Sequence, residues 1–165
     1  MREIKKAGTE CIELIQHLTH AIWPEAYKHI LTPAQLEYML ELIYSDEALI
    51  HEIESEHHQF IIAYEENIAN GFAAYSPKHA SPATYRLHKL YVLPNQQGKG
   101  TGKFLLNHVI DDAKMKNASI LELNVNRYNK AVQFYTKQGF TIIAEEDIDI
   151  GHGYFMNDYV MQKLI

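Results

Sequence analysis

The spacing of apolar residues changes character along the chain, and each change predicts a different element. A short strand is followed by helical spacing over 9–22, with Thr9 as its cap. Thr32-Pro33-Ala34-Gln35 places a hydroxyl at a cap, proline at the first helical position and glutamine within the first turn. That combination starts a second helix, expected to reach about Tyr44, and Asp46 opens a short third. Between the first two helices, Trp23-Pro24-Glu25-Ala26-Tyr27 sets aromatic residues beside a proline and reads as a loop forming one wall of a pocket.

From Gln59 the period becomes two. Residues 59–64 and 68–75 form a hairpin through Glu65-Glu66-Asn67, a loop is expected over 76–82, and a third strand over 85–93. Beyond Pro94 lies a glycine cluster. Phe104, Leu105, Leu106, Val109, Ile110 and Ala113 then give a helical face through about Lys116. A strand over 120–125, a helix over 129–138 closed by Gly139, and strands over 140–148 and 154–163 complete the pattern. Strand–helix–strand succession requires a crossover, so the fold class is mixed α/β: antiparallel strands first, with part of the sheet parallel.

Composition narrows this picture without redirecting it. A chain of 165 residues, 47% hydrophobic and 22% charged, has the size and balance of a single globular domain spanning 1–165. The lone Cys11 excludes an intramolecular disulfide and falls in the apolar pattern of the first helix, where it reads as a small core residue. No leader or membrane-spanning pattern is present, so a cytoplasmic location without a membrane partner is expected. A net charge of −6 argues against nucleic acid as a partner and is compatible with a cationic substrate.

The strongest chemical signal is Gln97-Gly98-Lys99-Gly100-Thr101-Gly102, between the end of a strand and the start of a helix. Glycines there let the backbone approach a ligand, and the free N–H groups of the first helical turn converge on an anion. Hydrogen bonds to charged phosphate oxygens contribute about 1.5–3 kcal/mol each, the helix dipole about 0.3–1. Spacing separates three kinds of phosphate loop. A P-loop needs serine or threonine after Gly-Lys, but Gly102-Lys103 is followed by Phe104 and Gly98-Lys99 by Gly100. A dinucleotide fingerprint needs a small residue where Lys103 or Leu105 stands.

What remains, Gln97-x-x-Gly100-x-Gly102, resembles the acetyl-CoA loop of the GCN5-related N-acetyltransferase (GNAT) superfamily. Asn129-Lys130-Ala131-Val132-Gln133-Phe134-Tyr135, running on to Gly139-Phe140, is similar to that family's second motif. The resemblance extends from about Gln59 through Asp158-Tyr159-Val160-Met161. It implies the acyl-CoA N-acyltransferase fold, a mostly antiparallel central sheet flanked by helices. It also implies acetyl-CoA as donor, with residues 97–102 and Lys103 cradling the pyrophosphate. Asn129 and Ala131 would contact the coenzyme, and the backbone of Leu90, Tyr91 and Val92 would pair with the pantetheine arm. Asn129 reads equally well as a helix cap.

Acetyl transfer to an amine needs a neutral amine, a polarised carbonyl and a protonated leaving thiolate. The resemblance places Tyr135 beside the coenzyme sulfur as the acid; an ordinary phenol keeps its proton at neutral pH. Some relatives carry glutamate as base on the strand before the glycine loop, where this chain has Arg86. His88 on the same strand, or a held water, is the alternative base. The remaining histidines show no metal-ligand spacing, so no metal is expected. Trp23, Tyr27, Tyr38 and Tyr154 are candidate walls for a small-molecule amine, and the N-terminal third faintly resembles bacterial polyamine-acetylating enzymes. A peptide N-terminus, an amino sugar or an amino acid stays open as acceptor, as does a non-catalytic acyl-CoA sensor. Element exchange at the C-terminus offers a route to a homodimer.

Overall fold

A computed structural model describes residues 1–165. One seven-stranded sheet runs through the molecule in the order β1-β2-β3-β4-β5-β7-β6. Its strands are β1 (Arg2–Ala7), β2 (Gln59–Glu65), β3 (Ile68–Lys78), β4 (Ser81–Val92), β5 (Ile120–Asn126), β6 (Thr141–Gly151) and β7 (Tyr154–Leu164). All neighbours are antiparallel except β4 and β5, which the crossover helix α4 (Thr101–Met115) joins in parallel. The mixed sheet follows from that one crossover, as the strand–helix–strand succession predicts.

Two apolar cores fill the two faces. On one, Ile61, Ala73, Tyr75, Leu87, Leu121 and Leu123 meet Leu105, Leu106 and Val109 of α4, together with Tyr135 of α5 (Ala131–Lys137). On the other, Phe60, Ile62, Phe72 and Ala74 meet α1 (Ile12–Ala26), α2 (Pro33–Tyr44) and α3 (Asp46–Ile50) through Ile15, Leu18, Trp23, Met39 and Leu49. Alternate strand residues therefore serve opposite cores, which is why β2 and β3 read as nearly continuous apolar runs.

Local signals hold at several boundaries. The Thr32 hydroxyl accepts from the Gln35 N–H at 3.2 Å, and that of Ser45 from the Ala48 N–H at 3.2 Å, stopping α2 and starting α3. Thr9 is not a helix cap: residues Thr9–Cys11 form a 3-10 turn, and the Glu10 carboxylate accepts from the Gly8 N–H instead. Trp23 to Ala26 is not a loop but the last turn of α1, with Pro24 inside it. Proline there forfeits one hydrogen bond near the helix end, and the Tyr27 N–H still closes on the Trp23 carbonyl at 3.0 Å. The long loop expected over 76–82 is also absent, because β3 continues to Lys78 and β4 begins at Ser81.

Candidate active site

The sheet comes apart where its one parallel pair ends. β4 and β5 pair only over Thr84–Leu87 and Ile120–Leu123, whereas β4 stays on β3 as far as Val92 and β5 on β7 as far as Asn126. The divergence coincides with a bulge: Ala74 and Tyr75 face Lys89 and Leu87, leaving His88 as the extra residue of β4. A bulge bends its strand, here away from β5. The Leu93 N–H donates to the Asn70 carbonyl at 2.9 Å, and the antiparallel alternation then sets Tyr91 and Lys89 toward β3. Leu90 and Val92 consequently turn their backbone N–H and C=O groups into the gap. An extended polar ligand could complete the interrupted ladder there.

The glycine loop lies at the end of the same strand. Gly98 and Gly100 have φ of 77° and 85°, and Gly100 is the residue from which α4 starts, with no side-chain cap. A side chain at Gly100 would be held in the left-handed region at a cost of about 1–2 kcal/mol. The Phe104 N–H closes on the Gly100 carbonyl at 2.9 Å, so the N–H groups of Thr101, Gly102 and Lys103 have no acceptor in the helix. They stand free at a positive helix end. Open space surrounds the Cβ direction of Gly98. Arg2 adds a cation that no local pattern could have disclosed: its Nη2 donates to the Lys99 carbonyl at 2.6 Å, beside Gly100. The residues present fit a diphosphate, and the free edge of Leu90 and Val92 fits the amide-bearing arm that coenzyme A attaches to it.

A cavity of about 300 Å³ opens where β4 and β5 part. His88, Leu90 and Tyr91 line it from β4, Asn124 and Asn126 from β5, Trp23 from α1 and Tyr27 from the residue that caps that helix. Asn129, Ala131 and Tyr135 also reach it. Asn129 does act as a cap, its side-chain oxygen accepting from the Ala131 N–H at 2.9 Å. Tyr135 is buried, and burial, then the neighbouring Tyr27, raises its phenol above the ordinary value; no hydrogen bond to the hydroxyl offsets that. It stays protonated throughout the physiological range.

Tyr38 and Tyr154 are not part of the cavity. The Tyr38 hydroxyl donates to the Ile150 carbonyl at 2.5 Å, and its ring packs on His152 and Tyr154 at 4.8 and 5.3 Å. They clasp α2 to the β6–β7 hairpin.

Three sets of charged groups surround the cavity. Lys89 is buried and donates to both oxygens of Glu52, at 2.9 and 2.7 Å. Burial holds the Lys89 ammonium below its ordinary value, an effect Glu52 opposes. His88 stacks on His58 at 3.8 Å, its Nε2 is 2.7 Å from the Ser76 hydroxyl, and burial followed by His58 pushes its pKa down to about 3. Arg86 bonds the buried Glu122 at 2.6 Å, which also accepts from Lys78 and Gln162. Its guanidinium is thus occupied in a structural ion pair. The third set centres on Asp158, only 2% exposed on β7, which accepts from Asn124 Nδ2 at 3.3 Å. Sequence reasoning passed over both Glu52 and Asp158; the one signal for Asp158 was a carboxylate at a buried position of the closing strand, next to the apolar run Tyr159-Val160-Met161.

Comparison with known proteins agrees with this geometry. The Acetyltransferase (GNAT) domain model matches residues 27–156. A spermidine N(1)-acetyltransferase of Thermoplasma acidophilum is 30% identical over 168 residues, covering 98% of this chain and 96% of that protein. The crystal structure of the PaiA N-acetyltransferase from Thermoplasma acidophilum, in complex with coenzyme A, superposes with a TM-score of 0.84 at 26% identity, covering 100% of this chain and 99% of the other. Other curated relatives match over about half their length or less: the chain spans 24% of an uncharacterized N-acetyltransferase of Methanocaldococcus jannaschii, at 40% identity over 55 residues, and about half of an L-amino acid N-acyltransferase of Escherichia coli. Two diverging strands, a glycine loop at a helix start and a buried tyrosine across the gap are accounted for together by one conclusion: the chain belongs to the GNAT acetyltransferase family.

Proposed function

We propose that the protein transfers the acetyl group of acetyl-CoA to a primary amine by direct attack within a ternary complex. The observation that carries this reading is that the β4–β5 gap opens into the cavity lined by Tyr135, while the free N–H groups of α4 follow the end of the same strand β4. Bound acetyl-CoA supplies the activated thioester. Residues 97–103 hold its pyrophosphate, the backbone of Leu90 and Val92 pairs with the arm, and Asn129 and Ala131 border it. A backbone N–H at the end of β4 serves the carbonyl oxygen as it gains charge.

Tyr135 donates a hydrogen bond to the departing sulfur. Its raised phenol is a weaker acid than a thiol of pKa about 8.5, so full proton transfer to the thiolate would be uphill by at least about 2 kcal/mol. Tyr135 therefore acts chiefly by stabilising sulfur as it takes on charge, passing on a proton as the new amide nitrogen gives one up. His88 does not fit the role of base. Its Nε2 is engaged with the Ser76 hydroxyl at 2.7 Å, its ring is stacked on His58, and as a neutral imidazole it offers an ammonium group no counter-charge.

A polyamine or other small alkylamine is the acceptor class we favour, on two supports: one relative matched over nearly its full length is a spermidine N(1)-acetyltransferase, and the chain is acidic. Trp23 and Tyr27 would wall the acceptor side.

The test is an amine panel containing spermidine, amino acids and peptides, read by thiol release from acetyl-CoA, with Tyr135→Phe alongside. Retained acetyl-CoA affinity with turnover reduced about 10²–10⁴-fold is the expected result. Unchanged turnover would remove Tyr135 from the mechanism. Tight acetyl-CoA binding with no acceptor in the panel would favour a non-catalytic sensor.

A further inference from the structure

Three charged side chains in this protein are buried: Lys89, Glu122 and Asp158. Two have a direct counterion. Lys89 is 2.7 Å from Glu52, and Glu122 is 2.6 Å from Arg86. Asp158 forms no ion pair, and its only protein donor is the neutral amide of Asn124, on Oδ2 at a long 3.3 Å. A buried carboxylate without a cation costs several kcal/mol, which folding alone gives no reason to retain.

Its position supplies the reason. Asp158 lines the cavity from β7, opposite Asn126 at the mouth of the gap. Tyr27 and Tyr135 line the same cavity, and the Tyr27 phenol feels the charge of Asp158 and in turn acts on Tyr135. Glu52, the other carboxylate of the cavity, has both oxygens committed to Lys89. Oδ1 of Asp158 has no protein partner.

We propose that Asp158 is the missing base: it binds the acceptor's ammonium group and takes its proton. This rests on the acetyl-transfer reading above. One N–H⁺ proton moves to Oδ1, directly or through one water, leaving a neutral amine. Its lone pair forms the C–N bond to the thioester carbon, and the C–S bond breaks with its electron pair going to sulfur. The thiolate is protonated through Tyr135 as the nitrogen loses its second proton, and Asp158 returns its own proton to solvent.

The electrostatic surroundings suit this cycle. Burial raises Asp158 above the ordinary carboxylate value, and the Asn124 hydrogen bond offsets part of that. Glu146 on β6 raises it further, Arg127 after β5 and Arg86 on β4 oppose, and Tyr27, just after α1, shares the cavity. A raised carboxylate is a stronger base for an ammonium than a solvated one.

Asp158→Asn keeps the shape and an acceptor for Asn124. Wild type and variant are compared from pH 6 to 9.5 with spermidine, an alkylamine, and glycinamide, whose α-amine ionises nearer neutrality. Thiol release, acetyl-CoA affinity and thermal melting are all recorded. With spermidine at pH 7 the variant should turn over about 10²–10⁴-fold more slowly and recover about tenfold per pH unit as the free amine accumulates. With glycinamide the loss should be smaller. Acetyl-CoA affinity should be unchanged, and the variant should melt no lower than wild type at pH 7, because an uncompensated charge has been removed. Turnover within twofold of wild type overturns the proposal, and so does an equal loss for both amines at every pH or a lower melting temperature. Absence of release by wild type with either amine overturns the acetyl-transfer reading, and this assignment with it; an active wild type with an indifferent variant sinks Asp158 alone.

Discussion

Replacing Glu52 by alanine isolates the one buried cation of the fold. Lys89 has a side chain 6% exposed, with Tyr44 and Phe60 rings within 5.6 Å, and Glu52 is its one ion-pair partner. Leaving one member of such a pair uncompensated costs about 3–5 kcal/mol. For a domain of this size each kcal/mol shifts the melting temperature by about 2–4 °C, giving a loss of roughly 6–20 °C. The deficit should depend on pH in a definite sense. Lys89 already sits below its ordinary value through burial, and without Glu52 it falls further. Between that lowered value and the ordinary 10.5, the unfolded chain holds a proton that the folded one lacks, so stability rises with pH across that window. Thermal melts followed by circular dichroism at pH 6, 7.5 and 9 should show the gap between Glu52→Ala and wild type narrowing as pH rises. Glu52→Ala combined with Lys89→Met should regain most of the loss, because an apolar pair in place of a buried ion pair is close to neutral. A single variant melting within 3 °C of wild type, or a double variant no better than the single, would refute the reasoning.

Other consequences follow from the same geometry. A Cβ at Gly71 would lie 2.8 Å from the Tyr91 carbonyl oxygen, so Gly71→Ala must push β4 off β3 beside the free edge of Leu90 and Val92; calorimetry should record acetyl-CoA affinity reduced about tenfold or more, roughly the strain of overpacking. Arg2→Ala removes the guanidinium from the glycine loop and should weaken acetyl-CoA binding by about 1.5–3 kcal/mol, with a shallower salt dependence. His88, with its pKa near 3, is neutral at every pH of an ordinary assay, so His88→Gln should leave the shape of the pH–rate profile from 5 to 9 unchanged. A lost inflection near neutrality would contradict that.

The features legible in the sequence are those that a few consecutive residues determine. Thr32-Pro33 marks a helix start by its own chemistry, and the glycine spacing from Gly98 to Gly102 distinguishes one phosphate loop from another. Pro24 misled because it stands only two residues before the end of α1, where the helix forfeits one hydrogen bond and has less than a turn left to run. The gap between β4 and β5 was invisible because strand pairing is set by distant residues, and an extra residue at His88 shifts which side chains share a face. That bulge turns His88 and Lys89 to the same side, where the helical turn His51–Ser55 after α3 and the residues leading into β2 supply Glu52 and His58. Tyr38 and Tyr154 were placed by aromatic character alone, which describes a clasp as well as a wall. Asp158 lay in plain view, but its meaning comes from what is missing around it, a cation, and absence of a partner is a property of three dimensions.

Four residue pairs of parallel strand are all the ladder that joins β1–β4 to β5–β7–β6, and the chain crosses between these halves once, through α4, which packs mainly on β3 and β4. The turn that follows α4, with Asn117 at φ 65°, is therefore the place where the polypeptide could be cut without dividing either half. Severed there, the molecule would become two complementary fragments, and a ligand spanning the seam would act as the adhesive that reassembles them.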